Sequence, residues 1–124
     1  ALLPLLQQSQ SGALVFTSSS VGHSPRAYWG AYAASKYALE GVATLLSEEL
    51  ENTSDIRVSV VNPGATRTAM RQAAFPSEDP ETVKPPEDLV ALYAYLLSPT
   101  SDAPRGHRFQ SDGHHQPLER RAND

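Results

Sequence analysis

Tyr32 and Lys36 stand four residues apart, and Ser19 lies thirteen residues upstream of Tyr32 at the end of an apolar run. On a helix that spacing puts the phenol and the ammonium one above the other on a single face. A phenol titrates near ~10 when unperturbed, too high for easy proton exchange at neutral pH, and a neighbouring ammonium stabilises its phenolate. Lys36 is the candidate ammonium. A serine hydroxyl beside the phenol can hydrogen-bond a substrate oxygen and stabilise the charge that develops there. The trio therefore has the parts of a carbonyl-reducing proton relay, a chemistry that requires no metal.

The flanking elements must place these three side chains together. Ala13 to Thr17 is short and nearly all apolar, the pattern of a strand buried on both faces. Ser18 to Gly30 reads as a loop. From about Ala31 to Leu50 the apolar positions Ala34, Tyr37, Ala38, Gly41, Val42, Leu45, Leu46 and Leu50 recur every three or four residues, the helical period, with Glu48, Glu49 and Glu51 facing water. Ile56 to Val61 is a second, β-branched strand, stopped by the turn signal Asn62-Pro63-Gly64. Before the first strand, Ala1 to about Gln10 reads as a helix end rich in leucine. After the second, Thr66 to about Lys84 is irregular, Glu87 to Leu97 is an amphipathic helix with Pro86 in its first turn, and His107 to Gln110 is a last edge strand.

In order and spacing, Ser19, Tyr32-Ala-Ala-Ser-Lys36 and Asn62-Pro-Gly-Ala-Thr-Arg-Thr68 resemble the short-chain dehydrogenase/reductase family. The wording Phe16-Thr-Ser-Ser-Ser-Val-Gly22, Trp29-Gly-Ala-Tyr32 and Thr66-Arg-Thr-Ala-Met-Arg71 further resembles its bacterial YciK-type oxidoreductases. The resemblance implies an α/β fold, the C-terminal part of a Rossmann-like doubly wound parallel sheet in three layers. It also implies NADP or NAD as cofactor and a small carbonyl or alcohol as substrate. Carried over residue by residue, Tyr32 exchanges the proton, Lys36 also holds the nicotinamide ribose, and Ser19 orients the carbonyl, with Ser18 and Ser20 as rivals. Pro63 and Gly64 would let the backbone pass close to the nicotinamide, Ala65 would offer a backbone contact, and Thr68 would reach the carboxamide. Arg67, Met70, Arg71 and Phe75 are candidates to contact substrate from a lid, or simply to pack and solvate it, with the nearby acids closing the loop. Tyr28 and Trp29 could shape the substrate entrance or serve as core anchors.

Family members run to about twice this length and open with a glycine-rich strand-turn-helix unit that holds the cofactor pyrophosphate. The seven glycines here are scattered, without such a cluster. Residues 1–113 are thus expected to be the C-terminal half of one domain, inactive alone, and 114–124 a polar, disordered tail. The upstream asparagine of the family's relay and the residue that selects NAD or NADP are not in this chain. Subunit pairing through the helix that carries Tyr32 is a further implication, for the full-length protein.

Composition narrows the remaining classes. The chain has 124 residues, no cysteine and a formal net charge of −4 with dispersed basic residues, which argues against a nucleic-acid groove and against a disulfide framework. No apolar run reaches the ~20 residues of a membrane helix, so a soluble, cytoplasmic protein is the default expectation. His114 and His115 are adjacent and point apart, with no ligands to complete a metal set. A cofactor-binding sensor would be expected to have a broken trio. A nucleotide-sugar epimerase or dehydratase would need a larger segment after Gly64.

Overall fold

The computed structural model describes residues 2–118. A short helix α1 (Leu3–Gln8) leads into β1 (Ala13–Thr17), and a single 3-10 turn, Ser20–Gly22, precedes the long helix α2 (Gly30–Leu50). Then come β2 (Arg57–Asn62), α3 (Ala69–Ala74), a 3-10 turn at Pro86–Leu89 running into α4 (Val90–Leu97), β3 (His107–Gln110) and β4 (His115–Pro117).

The strands form one sheet in the order β1-β2-β3-β4. β1 and β3 both run parallel to β2, with Thr17 opposite Val61 and Phe109 opposite Val61 on the other side. β4 returns antiparallel on β3. Side chains alternate between faces along a strand, so β2 feeds both layers. Val58 and Val60 meet Ala43 and Leu50 of α2, with Ile56 and Leu118 alongside, while Val61 meets Leu96 of α4 together with Ala103 and Phe109. Helices on both faces make the three-layer α/β/α arrangement that the resemblance implied. Fully burying one side chain such as Phe109 or Ile56 contributes about 1.5–3 kcal/mol, and both are at most 2 % exposed.

Four expectations need correction. β1 is only half-buried, because among the described residues it is the sheet edge and lacks a neighbour on one side. β3 is not an edge strand. The region expected to be a polar tail from residue 114 instead supplies β4 and the buried Leu118, since Leu118 fills the space beside Val58 and Val60 and its N–H bonds Gly106 O. Residues 119–124 of that expected tail lie outside the described residues.

The fourth concerns α2. Its bounds match the expected helix within one residue, but the buried positions are Ala33, Glu40, Ala43 and Leu50. Of the expected apolar stripe, Leu50 is buried and Leu46 packs half-buried on the core, whereas Ala34, Tyr37, Ala38, Gly41, Val42 and Leu45 are exposed. The inward-facing positions thus differ from the expected ones over residues 33–43 and agree with them at Leu46 and Leu50. Small Ala33 and Ala43 allow close approach to the sheet, and Glu40 is buried there because Arg108 meets it.

Candidate active site

The two parallel strand ends create the site. β1 and β2 finish side by side, and each runs into a loop that carries candidate residues: Ser18–Gly22 after β1 and Pro63–Thr68 after β2. The carboxyl edge of a parallel α/β sheet is where such folds bind ligands. α2 then returns across the sheet and brings Tyr32 and Lys36 to the same edge.

Lys36 links these parts. Its Nζ donates to the carbonyl of Thr17, the last residue of β1, at 3.0 Å, and lies 5.7 Å from the centroid of the Tyr32 ring. The spacing of four residues thus sets the ammonium beside the ring on one face of α2. Ser19 caps the 3-10 turn, its Oγ accepting from Val21 N–H, and is partly exposed. Ser18 differs: its hydroxyl is turned inward and donates to Glu40 at 2.5 Å. Ser20 is exposed.

On the β2 side, Asn62 sets the turn. Its Oδ1 accepts from Gly64 N–H at 3.1 Å while its Nδ2 donates to Gln110 at 2.9 Å. Gly64 has φ +68°, a left-handed conformation that side chains disfavour, and a Cβ there would sit 3.1 Å from Lys84 Nζ. Lys84 donates to Ala65 O at 2.9 Å, so it pins the loop from the far end of the segment 66–84, the expected lid. Thr68 caps α3, its Oγ1 accepting from Arg71 N–H, which leaves its hydroxyl hydrogen to donate elsewhere.

The lid folds back on itself through the acids. Arg71 makes a two-pronged contact to Glu78, both bonds at 2.7 Å, and its guanidinium stacks 3.7 Å over the Phe75 ring. The hydrogen bond from Arg71 holds the Glu78 carboxyl below its ordinary range. Arg67 reaches Glu81 at 2.7 Å. Phe75 also packs on Trp29 at 5.9 Å, and Trp29 packs on Tyr32 at 5.9 Å, so an aromatic series runs from lid to phenol. Trp29 is therefore an anchor between Tyr32 and the lid. Tyr28 is no core anchor: it is fully exposed, with φ +70°. A groove of about 350 Å³ lies within the lid, walled by Arg67, Gln72, Phe75 and Val83, while Tyr32, Lys36 and Ser19 do not line it.

Sequence reasoning passed over Glu40, Arg108 and Lys84. Lys84 gave no sequence signal. Glu40 did, because it follows Lys36 by four residues and so shares its face. Among the described residues no group of three or more metal-ligating side chains occurs, and no helix is long and apolar enough to cross a membrane.

A mostly parallel sheet with helices on both faces, a tyrosine–lysine pair and two loops at its carboxyl edge define a doubly wound α/β fold. The sequence model of the short chain dehydrogenase family matches residues 1–79. The uncharacterized oxidoreductase YciK of Escherichia coli K12 is 50% identical over 117 residues, covering 94% of this chain and 46% of that protein. A short chain dehydrogenase from Shigella flexneri 2a str. 301, solved in complex with NADP, is 52% identical with a TM-score of 0.84 over 90% of this chain and 46% of that one. The solved E. coli yciK oxidoreductase superposes with a TM-score of 0.83 at 52% identity, over 89% and 44% of the two chains. The chain belongs to the short chain dehydrogenase family, and it spans about half the length of the curated relatives it matches.

Proposed function

We propose that this chain carries the catalytic centre and lid of an NAD(P)-dependent reductase or dehydrogenase that interconverts a ketone or aldehyde with its alcohol. The observation that carries the reading is Lys36, held on Thr17 O with its ammonium 5.7 Å from the Tyr32 ring at the carboxyl edge of the sheet. A nicotinamide bound at that edge supplies the hydride in reduction and takes it in oxidation. Tyr32 Oη gives its proton to the carbonyl oxygen in reduction and recovers it in oxidation. Lys36 lends positive charge to the phenolate left behind. Ser19 donates a hydrogen bond to the carbonyl oxygen, because Ser18 is already engaged by Glu40.

The residues present fit the nicotinamide end of a dinucleotide. The Lys36 ammonium has three donors and spends one on Thr17, leaving donors for ribose hydroxyls. Gly64 offers backbone without a Cβ, flanked by Pro63 and Ala65, and Thr68 has a hydrogen to donate to a carboxamide. The chain has no glycine cluster for the pyrophosphate. For that reason we expect the 124 residues alone to be inert, and the full-length protein to be the active species.

The same reading includes assembly. Tyr37, Val42 and Leu45 are 43 %, 48 % and 59 % exposed along α2, an apolar face suited to a second copy in the full-length protein.

The test is the loss of NADPH absorbance by the full-length protein with a panel of aldehydes, ketones and 3-oxoacyl thioesters. NADPH comes first because a relative binds NADP. Turnover should fall by about 10²–10⁴-fold in Tyr32→Phe with NADPH binding retained. A protein that binds NADPH and reduces nothing on the panel would favour a sensor instead.

A further inference from the structure

Three charged or polar side chains from distant parts of the chain meet directly beneath the proposed relay. Glu40 is 5 % exposed, Ser18 3 % and Arg108 6 %. One Glu40 oxygen accepts from Ser18 Oγ, the other from Arg108 Nη2 of β3, 68 positions away in sequence. A buried ion pair is no efficient source of stability, since well-packed apolar side chains of similar volume often do as well or better. Arg108 even leaves its Nε and its other terminal nitrogen without a hydrogen-bond partner. Packing alone therefore does not account for the pair, and its contacts point to a different role.

Ser18 is tied on two sides. Its N–H donates to Val61 O of β2 at 2.8 Å, and its hydroxyl donates to Glu40 of α2. Gly22 closes the same loop against the same helix. A Cβ at Gly22 would lie 2.5 Å from Ser18 Oγ, 2.6 Å from the Glu40 carboxylate and 3.1 Å from Lys36 Cβ, so a larger residue would push the loop off the helix. Ser19 lies between these two tethers, and its carbonyl accepts from Gly22 N–H at 3.0 Å. The segment 18–22 is thus docked on α2 at the turn between Lys36 and Glu40.

We propose that Glu40, held by Arg108, is a positioning residue for the relay: through Ser18 it sets Ser19 against Tyr32 and Lys36. The proposal rests on the reductase reading for its effect on rate, but the docking itself can be tested without turnover. The experiment uses the full-length protein and its Ser18→Ala and Glu40→Gln forms, with two readouts. Ser18→Ala removes the tether and leaves the Glu40–Arg108 pair in place. It should lower kcat by about ten- to a hundredfold, the cost of a small misplacement at the reacting atoms. KM for NADPH and the melting temperature should stay near those of the parent. Glu40→Gln can still accept from Arg108 and can donate to Ser18, so it should retain kcat within about threefold, although loss of the carboxylate charge beside buried Arg108 lowers the melting temperature.

The second readout is deuterium uptake over residues 17–24, which should rise in Ser18→Ala and not in Glu40→Gln. A Ser18→Ala protein with the parent's kcat, or with unchanged uptake over that segment, overturns the proposal. So does a fall in kcat that only mirrors a fall in melting temperature. If the parent reduces no carbonyl while Ser18→Ala still raises uptake over 17–24, the reductase reading falls and the docking by Glu40 stands.

Discussion

Two arginine–glutamate pairs of the same chemistry flank the proposed site, and they act differently. Glu40–Arg108 joins α2 to β3 in the protein interior, while Arg71–Glu78 closes a local loop within the lid with both side chains roughly a quarter exposed. Desolvation separates them. In the interior each charge needs its partner, so breaking the pair strands an ion; at the surface water replaces a lost partner at little cost. The comparison teaches that the two charges beneath the site depend on each other, whereas those of segment 66–84 can exchange their partner for water.

The sharpest way to break this contrast is to strand the buried cation. Glu40→Ala should destabilise the full-length protein by about 3–5 kcal/mol, seen as a lower urea midpoint. A midpoint equal to the parent's would mean that water reaches Arg108. Glu78→Gln should leave that midpoint unchanged and raise the carbonyl KM about two- to threefold through a looser lid. If instead Glu78→Gln unfolds the protein, the lid is part of the core and the contrast fails.

Salt and acid sharpen the comparison further. At about 1 M salt, where the Debye length is ~3 Å, limited proteolysis should nick 66–84 faster while uptake over 17–24 stays constant. Glu78 has a lowered folded-state pKa, chiefly from the Arg71 hydrogen bond. Its contribution is therefore present above the ordinary glutamate value of about 4.3 and lost as pH falls through the lower folded value. Lid nicking should rise in that acid range.

The smallest effect is expected at the sheet edge. His107 Nδ1 meets His115 Nδ1 at 2.9 Å, a contact that needs one ring to donate and the other to accept. Burial, and then the neighbouring His115, lower the His107 pKa. The folded state thus prefers the neutral ring, and this stabilisation is present above about 6.5 and lost as pH falls through the depressed value. Protection of the β4 amides, measured against the intrinsic exchange rate at each pH, should fall slightly between about pH 7.5 and about pH 5.5, roughly a unit either side of the ordinary histidine value.

Much of the architecture was legible in order. The apolar run before Ser18 and the valines before Asn62-Pro63-Gly64 are strands because alternating or continuous β-branched patterns have few other outcomes. The length of α2 was legible as well, from its unbroken helical period and lack of proline. Its buried positions over residues 33–43 were not. Hydrophobicity alone chose the stripe through Val42 and Leu45, whereas the sheet took Ala33, Glu40 and Ala43. A charge scored as polar becomes a core residue once a countercharge arrives from β3. β4 was missed for a related reason: His115-Gln116-Pro117 has a polar composition, and the pairing with β3 and the burial of Leu118 are long-range events.

By itself, the sequence determined which residues stand four apart on one helix and which loops come after the two strands, because these depend on local period and turn chemistry. It therefore placed Tyr32 and Lys36 on one face of one helix. Only the tertiary structure decided which serine hydroxyl turns inward, which face of α2 meets the sheet, and that Lys84 and Arg108 reach back across the fold. Those outcomes depend on contacts between residues dozens of positions apart, and no local pattern encodes the desolvation and countercharge that select them.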